Sequence, residues 1–154
     1  MQVETDFMLM GWSNGERPTT IGTAASTSQE SMPATILLID DNAVQAATRQ
    51  TILKRAGYFV IAALNPARAL EQLRHHEFPH TVDLILTDHI MPEMNGAEFI
   101  TRLREFERDM PVLVISGMAE AEAAYKGLNV HFRLKPLLPD NLLASVHDLV
   151  HSKV

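Results

Sequence analysis

The chain has 154 residues, of which 46% are hydrophobic and 21% charged, with a formal net charge of -6 and no cysteine. This length suits one domain with its own core, whereas an acidic chain without a Lys/Arg block does not suit the phosphate backbone of nucleic acids. Without cysteine the chain forms no disulfides, and no apolar run is long enough to span a membrane, so we expect a cytoplasmic protein without membrane contacts.

The first 34 residues differ in composition from the rest of the chain. Residues 1–34 are rich in Ser, Thr, Gly and Pro and show neither helical nor strand periodicity, which is typical of a disordered leader. Met32 stands three residues before the first apolar run, and this position raises the hypothesis that the natural protein starts there. We expect one domain to cover residues 35–154.

From Thr35 onward, short apolar runs alternate with stretches of helical spacing. The apolar runs predict five strands: TILLID (35–40), YFVIAA (58–63), DLILTD (83–88), PVLVIS (111–116) and HFRLK (131–135). Unbroken apolar runs are typical of parallel strands that are covered on both faces. The alternation therefore predicts an α/β fold in which helices cover both faces of a doubly wound, five-stranded parallel sheet.

The stretches between and after the strands carry helix signals. Asn65 and Pro66 make an N-cap and first-turn pair. Two further predicted helices come directly after Asn42 and Asn95, and Pro139 begins the last one. Gly57 and Gly127 are the predicted helix ends. The segment 118–127 predicts a short, Ala-rich helix. Helical spacing predicts the inward faces of the first, third and last helices: Val44, Ala47, Ile52, Leu53, Ala56; Phe99, Ile100, Leu103, Phe106; Leu142, Leu143, Val146, Leu149, Val150.

The ends of the predicted strands bring charged and polar residues to one edge of the sheet. Asp40 and Asp41 end the first strand, Asp88 the third, Ser116 the fourth and Lys135 the fifth. In a doubly wound sheet these ends converge on the crevice where ligands bind, so we expect the side chains to share a pocket. Three carboxylates suit a hard divalent cation, and Mg²⁺ binds carboxylates together with waters and a phosphate oxygen. The pattern therefore predicts a Mg²⁺ site.

A site of this composition predicts phosphoryl chemistry. A cation held by Asp40 and Asp41 would draw a phosphorylated donor toward Asp88, whose carboxylate can attack phosphorus as a nucleophile. Ser116 would contact a phosphoryl oxygen by a hydrogen bond and Lys135 by its charge. The expected product is an aspartyl phosphate.

Four segments, ILLIDDN, DLILTDHIMPEMNG, PVLVISG and FRLKPL, resemble in order and spacing the signature segments of the receiver domain of two-component response regulators. The resemblance covers residues 35 to about 150 and implies a flavodoxin-like, three-layer α/β sandwich. It implies that Asp88 is the phosphoacceptor. It also implies that Asp40, Asp41 and Asp88 hold Mg²⁺ together with the backbone carbonyl of Ile90.

Further roles are carried over by the same resemblance. Ser116 matches the switch hydroxyl, Phe132 the switch aromatic, and Lys135 the phosphate-contacting lysine before a proline whose peptide bond is usually cis. Ile90 and Met118 are implied to flank the phosphoryl group. The connection between Ser116 and Lys135 is shorter than in many receivers, so we expect an abbreviated fourth helix.

The resemblance also implies a function and partners. We expect a signalling switch that takes a phosphoryl group from a histidine kinase or histidine phosphotransfer protein and passes the signal to an unidentified downstream protein by direct contact. It would be a monomer or weak dimer, and no enzyme beyond its own phosphotransfer and slow autodephosphorylation. Because no effector sequence follows Val154, we expect the free-standing, single-domain type. A phosphorylation-independent adaptor of the same fold is the alternative.

Overall fold

Parallel strands form the centre of the fold. The computed structural model describes residues 32–152. The strands within this range are β1 (Thr35–Ile39), β2 (Phe59–Ala63), β3 (Leu84–Asp88), β4 (Val112–Ser116) and β5 (His131–Leu134). All neighbouring strands are parallel, and their order in the sheet is β2-β1-β3-β4-β5. The predicted doubly wound, five-stranded sheet is confirmed.

Burial follows the position of each strand in the sheet. Every residue of β1, β3 and β4 is buried, because these inner strands have a neighbour on both sides and a helical layer on both faces. The outer strands β2 and β5 contain exposed residues. The strands β1, β3 and β4, which end at or directly before Asp40, Asp88 and Ser116, are therefore the buried strands of the sheet.

The helices begin and end largely where the sequence signals stand. They are α1 (Ala43–Arg55), α2 (Pro66–Arg74), α3 (Gly96–Leu103) and α4 (Pro139–His151), with a 3₁₀ helix (Ala119–Tyr125) between β4 and β5. The side chains of Asn42, Asn65 and Asn95 cap the first three, each accepting the backbone N–H three residues ahead at 2.9 to 3.0 Å. Gly57 and Gly127 follow their helices with φ of 101° and 81°, a conformation that glycine adopts without strain.

An apolar layer forms on each face of the sheet, because successive strand residues point to opposite faces. Ile36 and Leu38 pack with the buried side chains of α1 and α4. Leu37 and Ile39 pack with those of α2 and α3. The predicted three-layer sandwich is confirmed.

The connection after β4 contains a short helix, as predicted. Residues Ala119–Tyr125 form it, and it is of the 3₁₀ type. A 3₁₀ helix rises about 2.0 Å per residue, against about 1.5 Å in an α-helix. A 3₁₀ helix is therefore longer than an α-helix with the same number of residues. The third helix ends earlier than its spacing predicted, at Leu103, although Phe106 still packs against the core.

The inward face of α1 is the predicted one only in part, because Ile52 and Leu53 pack against the core but other predicted residues do not. Leu53 is buried as predicted, but Val44 is 77% exposed and Ala47 is exposed as well. The helix buries Ala46 and Arg49 instead. The spacing of apolar residues gives no reason to place a charged side chain on the inward face. Arg49 is buried because it contacts Asp40 and Asp88 at the edge of the sheet.

Some predictions concern residues outside the described range. Residues 1–31 of the expected disordered leader lie outside the described range, as do the last two residues of the expected 35–154 domain. The leader, the proposed start at Met32 and the domain boundary therefore stay predictions. Within residues 32–152, no helix is both long enough and apolar enough to cross a membrane.

Gly96 starts α3 directly against the end of β3. Its backbone N–H donates to the carbonyl oxygen of His89 at 2.8 Å. A Cβ atom at Gly96 would lie 2.8 Å from the Asp88 carbonyl oxygen and 3.2 Å from the His89 Cα, and it would collide with the Tyr125 hydroxyl. Because two of these neighbours are backbone atoms, any larger residue requires α3 to shift.

We predict that Gly96→Ala lowers the free energy of unfolding by about 1–3 kcal/mol, the usual cost of overpacking a tight site. Gly117→Ala is the matched control, because a Cβ atom there meets no atom within 4 Å. It should stay within about 0.5 kcal/mol of the wild type. Urea denaturation measures both differences, and a Gly96→Ala protein as stable as the wild type would contradict the tight contact.

Candidate functional site

The carboxyl edge of the sheet gathers most of the predicted site residues. Asp40 directly follows β1, Asp88 ends β3, Ser116 ends β4 and Lys135 directly follows β5. These four strands are neighbours in the sheet, so the four residues lie along one edge. Asp40, Asp88 and Ser116 are buried, and Lys135 is partly exposed.

Two residues of α1 bridge the buried carboxylates. Gln45 Nε2 lies 2.7 Å from Asp40 Oδ2 and 2.6 Å from Asp88 Oδ2. Arg49 Nη1 lies 3.4 Å from Asp40 Oδ2 and 3.1 Å from Asp88 Oδ1, and the Arg49 side chain is only 10% exposed. The sequence predicted Mg²⁺ as the positive partner of the strand-end acids, but in this structure an arginine of the chain itself contacts both.

Lys135 completes the charged cluster. Its Nζ atom lies 3.3 Å from Asp88 Oδ1 and donates to Gln45 Oε1 at 3.3 Å. The following peptide bond, to Pro136, is cis, as the family resemblance implied. The cluster therefore combines two acidic and two basic side chains, joined by the amide of Gln45.

Asp40 is oriented by its own stretch of chain. The backbone N–H of Asn42 donates to Asp40 Oδ1 at 2.9 Å. Burial raises the pKa of the Asp40 carboxyl above its ordinary value and nearby Asp88 raises it further, whereas the Asn42 N–H and the Gln45 amide lower it. Desolvation and a like charge both disfavour an ionised carboxyl group. The acid pair therefore favours a positive partner at close range.

Asp41 differs from Asp40 in its exposure to solvent. Its side chain is exposed, because successive residues of an extended segment project in opposite directions and Asp40 takes the inward one. Among residues 32–152, no three His, Cys, Asp or Glu side chains are grouped to hold a metal ion. Asp40 and Asp88 thus share one pocket, and a role for the exposed Asp41 carboxylate as a cation ligand stays a prediction. The Ile90 side chain is exposed, and a role for its carbonyl stays a prediction.

The acid pair nevertheless fits a hard divalent cation. Asp40 and Asp88 present buried carboxylate oxygens, and Mg²⁺ commonly binds one or two carboxylates together with waters and phosphate oxygens. The side chains of Gln45 and Arg49 contact both acids. A cation at this position would meet suitable ligands once these two side chains had moved.

Ser116 and Phe132 lie on the β4 and β5 side of the carboxylates. The Ser116 hydroxyl oxygen accepts the backbone N–H of Met118 at 3.0 Å, so its own loop holds it. The half-buried Phe132 ring faces the Tyr125 ring, with 5.9 Å between the centroids. The Tyr125 hydroxyl lies 2.7 Å from His89 Nδ1. A chain of contacts thus links the end of β3 to the predicted switch aromatic.

Three residues of this site were not predicted: Gln45, Arg49 and Tyr125. Gln45 and Arg49 are four positions apart on α1, so they share one helix face. A polar pair at this spacing, directly after a strand-end acid, is the signal that could have revealed them. Burial, helped by the charge of Asp88, raises the pKa of Tyr125, but its partner His89 is 36 residues away, so the sequence held no local sign of the contact.

The sequence matches the family model of the response regulator receiver domain over residues 36–147. It is 31% identical over 123 residues to the transcriptional regulatory protein ZraR of Klebsiella oxytoca. It is 33% identical over 125 residues to the hydrogenase transcriptional regulatory protein HoxA of Cupriavidus necator. The alignments cover 77% and 78% of this chain but 27% and 25% of the two relatives, so the chain spans about a quarter of their length.

Solved structures of similar architecture include a response regulator receiver protein from Sinorhizobium medicae WSM419. Its TM-score to this chain is 0.70 at 29% sequence identity. The superposition covers 80% of this chain and 98% of that protein. This chain therefore shares the fold of that receiver protein over nearly its whole length.

Proposed function

Because this chain belongs to the receiver-domain family of two-component response regulators, we propose that its phosphoacceptor is Asp88. The family carries phosphorylation-dependent signals and is not a family of conventional enzymes. The observation on which the proposal rests is the buried Asp88 carboxylate at the end of β3, with the Lys135 ammonium 3.3 Å from its Oδ1. A histidine kinase or a histidine phosphotransfer protein would be the donor.

In the proposed reaction, an Asp88 carboxylate oxygen attacks the phosphorus of a phosphohistidine. The P–N bond breaks, and the imidazole leaves with the bonding electron pair. Lys135 supports the transfer because its ammonium, already beside Asp88, attracts the phosphoryl oxygens that gather there. The Ser116 hydroxyl, at the end of the neighbouring strand, would donate a hydrogen bond to one of them.

Mg²⁺ is the cofactor that we propose for this transfer. Asp40, Asp41, Asp88 and the Ile90 carbonyl would hold it, as the family resemblance implies, and when bound it neutralises phosphoryl charge. The buried acid pair supports the assignment, since its oxygens are hard ligands in a site where negative charge is costly. Gln45 and Arg49 contact both Asp40 and Asp88 and so help to fix the positions of these two ligands.

The signal would leave the site through Ser116 and Phe132. If the Ser116 hydroxyl turns to the phosphoryl group, it gives up its hydrogen bond with Met118 and vacates space that the Phe132 ring can enter. Tyr125 would follow, because its ring contacts Phe132 and its hydroxyl contacts His89. The surface of the 3₁₀ helix, β5 and α4 would then change for a downstream protein.

A phosphorylation-independent adaptor of the same fold is the second candidate. The observation in its favour is that Arg49 and Lys135 already contact the acids. Such a charge cluster can be purely structural. Phosphoryl labelling distinguishes the two candidates.

We predict that acetyl phosphate with Mg²⁺ labels the wild type and that Asp88→Asn abolishes the labelling, because an amide does not attack phosphorus as a carboxylate does. Intact mass measures the incorporation. Asp148→Asn is the matched control, since its carboxyl group is 84% exposed on α4, and it should label like the wild type. Labelling of Asp88→Asn at the wild-type rate would contradict the assignment, and a wild type that takes no phosphate would favour the adaptor.

We predict that Phe132→Ala is phosphorylated normally but no longer passes the change to α4, since the alanine side chain is too small to fill the space beside Ser116. The measurement is the set of α4 amide NMR shifts caused by beryllofluoride. Phe59→Ala, on the outer strand β2 at the other side of the sheet, should respond like the wild type. Full α4 shifts in Phe132→Ala would show that the ring is not on the route.

The phosphorylated form should be long-lived. Ile90 and Met118, implied to flank the phosphoryl group, are 64% and 38% exposed and cannot hydrogen-bond an attacking water. We predict that Ile90→Asn with Met118→Glu speeds decay by about tenfold or more, because polar groups can orient that water. Acid-labile phosphate followed over time measures the decay. Leu64→Asn, after the outer strand β2, should decay like the wild type, and an unchanged rate in the double variant would refute apolar shielding.

A further inference from the structure

All four oxygens of the two buried carboxylates already have partners. Asp40 Oδ1 accepts the Asn42 backbone N–H, and Asp40 Oδ2 contacts Gln45 Nε2 and Arg49 Nη1. Asp88 Oδ1 contacts Arg49 Nη1, and Asp88 Oδ2 accepts a hydrogen bond from Gln45. A cation that binds both acids must therefore displace at least part of these side-chain contacts.

We propose that Arg49 and Gln45 form an internal lock on the cation site. They bind Asp40 and Asp88 in place of Mg²⁺ and must withdraw before it enters. The lock rests on the proposed function, because it takes these two acids to be the cation ligands. Its consequence is that the wild-type protein binds Mg²⁺ weakly and that removal of Arg49 strengthens the binding.

Charge explains why the cation and Arg49 exclude each other. The guanidinium group is cationic, and here it is buried, where water screens charges least. Asp40 and Asp88 carry two formal negative charges, which Arg49 and Lys135 already balance. A divalent cation that entered while Arg49 stayed in place would leave a larger excess of positive charge at the buried acids than one that entered after Arg49 had withdrawn.

Arg49 has space into which it can withdraw. A cavity of about 630 Å³ lies beside it, lined by residues of α1, by the segment after β5 and by α4, among them Gln45, Arg49, Ile52, Lys135 and Leu142. The side chain can therefore leave the acids by rotation, without unfolding of α1. Mg²⁺ would bind the state in which Arg49 has withdrawn from the acids. The smaller the population of that state, the higher the apparent Kd for Mg²⁺.

A purely structural ion pair predicts a different result from a lock. Removing a structural arginine would leave buried, uncompensated carboxylates and lower stability, with no gain in affinity for Mg²⁺ alone. Removing a lock lowers stability in the absence of the cation but opens the ligands to it. The affinity for Mg²⁺, measured without any phosphoryl donor, is therefore the deciding quantity.

The test is calorimetric titration of MgCl₂ into the full chain for the wild type, Arg49→Met and Arg55→Met. Methionine keeps a long stem and a good helix propensity, and Arg55 is an exposed arginine of the same helix, so it controls for the change in net charge. We expect Arg49→Met to bind Mg²⁺ at least about tenfold more tightly than the wild type, and Arg55→Met to bind like the wild type. An unchanged Kd, or no binding by Arg49→Met, would overturn the lock.

Gln45→Ala keeps the proposal testable if Arg49→Met does not fold. Alanine favours the helix and removes the amide that contacts both acids, so Mg²⁺ should bind this variant more tightly and raise its Tm more than that of the wild type. An unchanged Kd and an unchanged Tm response would overturn the lock. Failure of acetyl phosphate labelling would instead overturn the proposed function, since the titration requires no phosphoryl donor.

Discussion

Two carboxylates buried beside each other repel and lose their hydration, and this constraint governs the carboxyl edge of the sheet. Asp40 and Asp88 are held there by the guanidinium of Arg49 and the amide of Gln45, and Asp88 also by the ammonium of Lys135, at distances between 2.6 and 3.4 Å. Two formal negative charges thus meet two formal positive charges. The chain itself thus supplies the positive counter-charge of the two acids, and a divalent cation is the kind of ligand that could take its place in the proposed phosphoryl transfer.

The fold brings these groups together from distant parts of the chain. The parallel order places β1 beside β3 and β5 one strand beyond β4, so Lys135 reaches Gln45 across 90 positions of sequence. The short segment after β1 has several roles at once. Its Asn42 caps α1 directly behind Asp40, and the helix then places Gln45 and Arg49 on the face that meets the acids. The charge cluster therefore depends on where α1 begins.

The fold could be predicted from sequence because its signals are local: apolar runs for the strands, asparagine caps and glycine stops for the helices. The site could be predicted only in part. Strand order alone brings Asp40, Asp88, Ser116 and Lys135 to one edge, but which of two adjacent acids points inward depends on packing, and Asp41 proved exposed. Arg49 was not predicted because apolar spacing identifies only apolar inward residues. The burial of this charged side chain is explained by its contacts with Asp40 and Asp88, which are distant in sequence from it.

The assignment of Asp88 as phosphoacceptor is tested most directly by chemical trapping on the wild-type protein. Borohydride reduces an aspartyl phosphate to homoserine, and peptide mass spectrometry then identifies the converted position. After phosphorylation with acetyl phosphate and Mg²⁺, we predict conversion at position 88 alone. Conversion at position 40 or 41, or a phosphorylated protein without any conversion, would contradict the assignment.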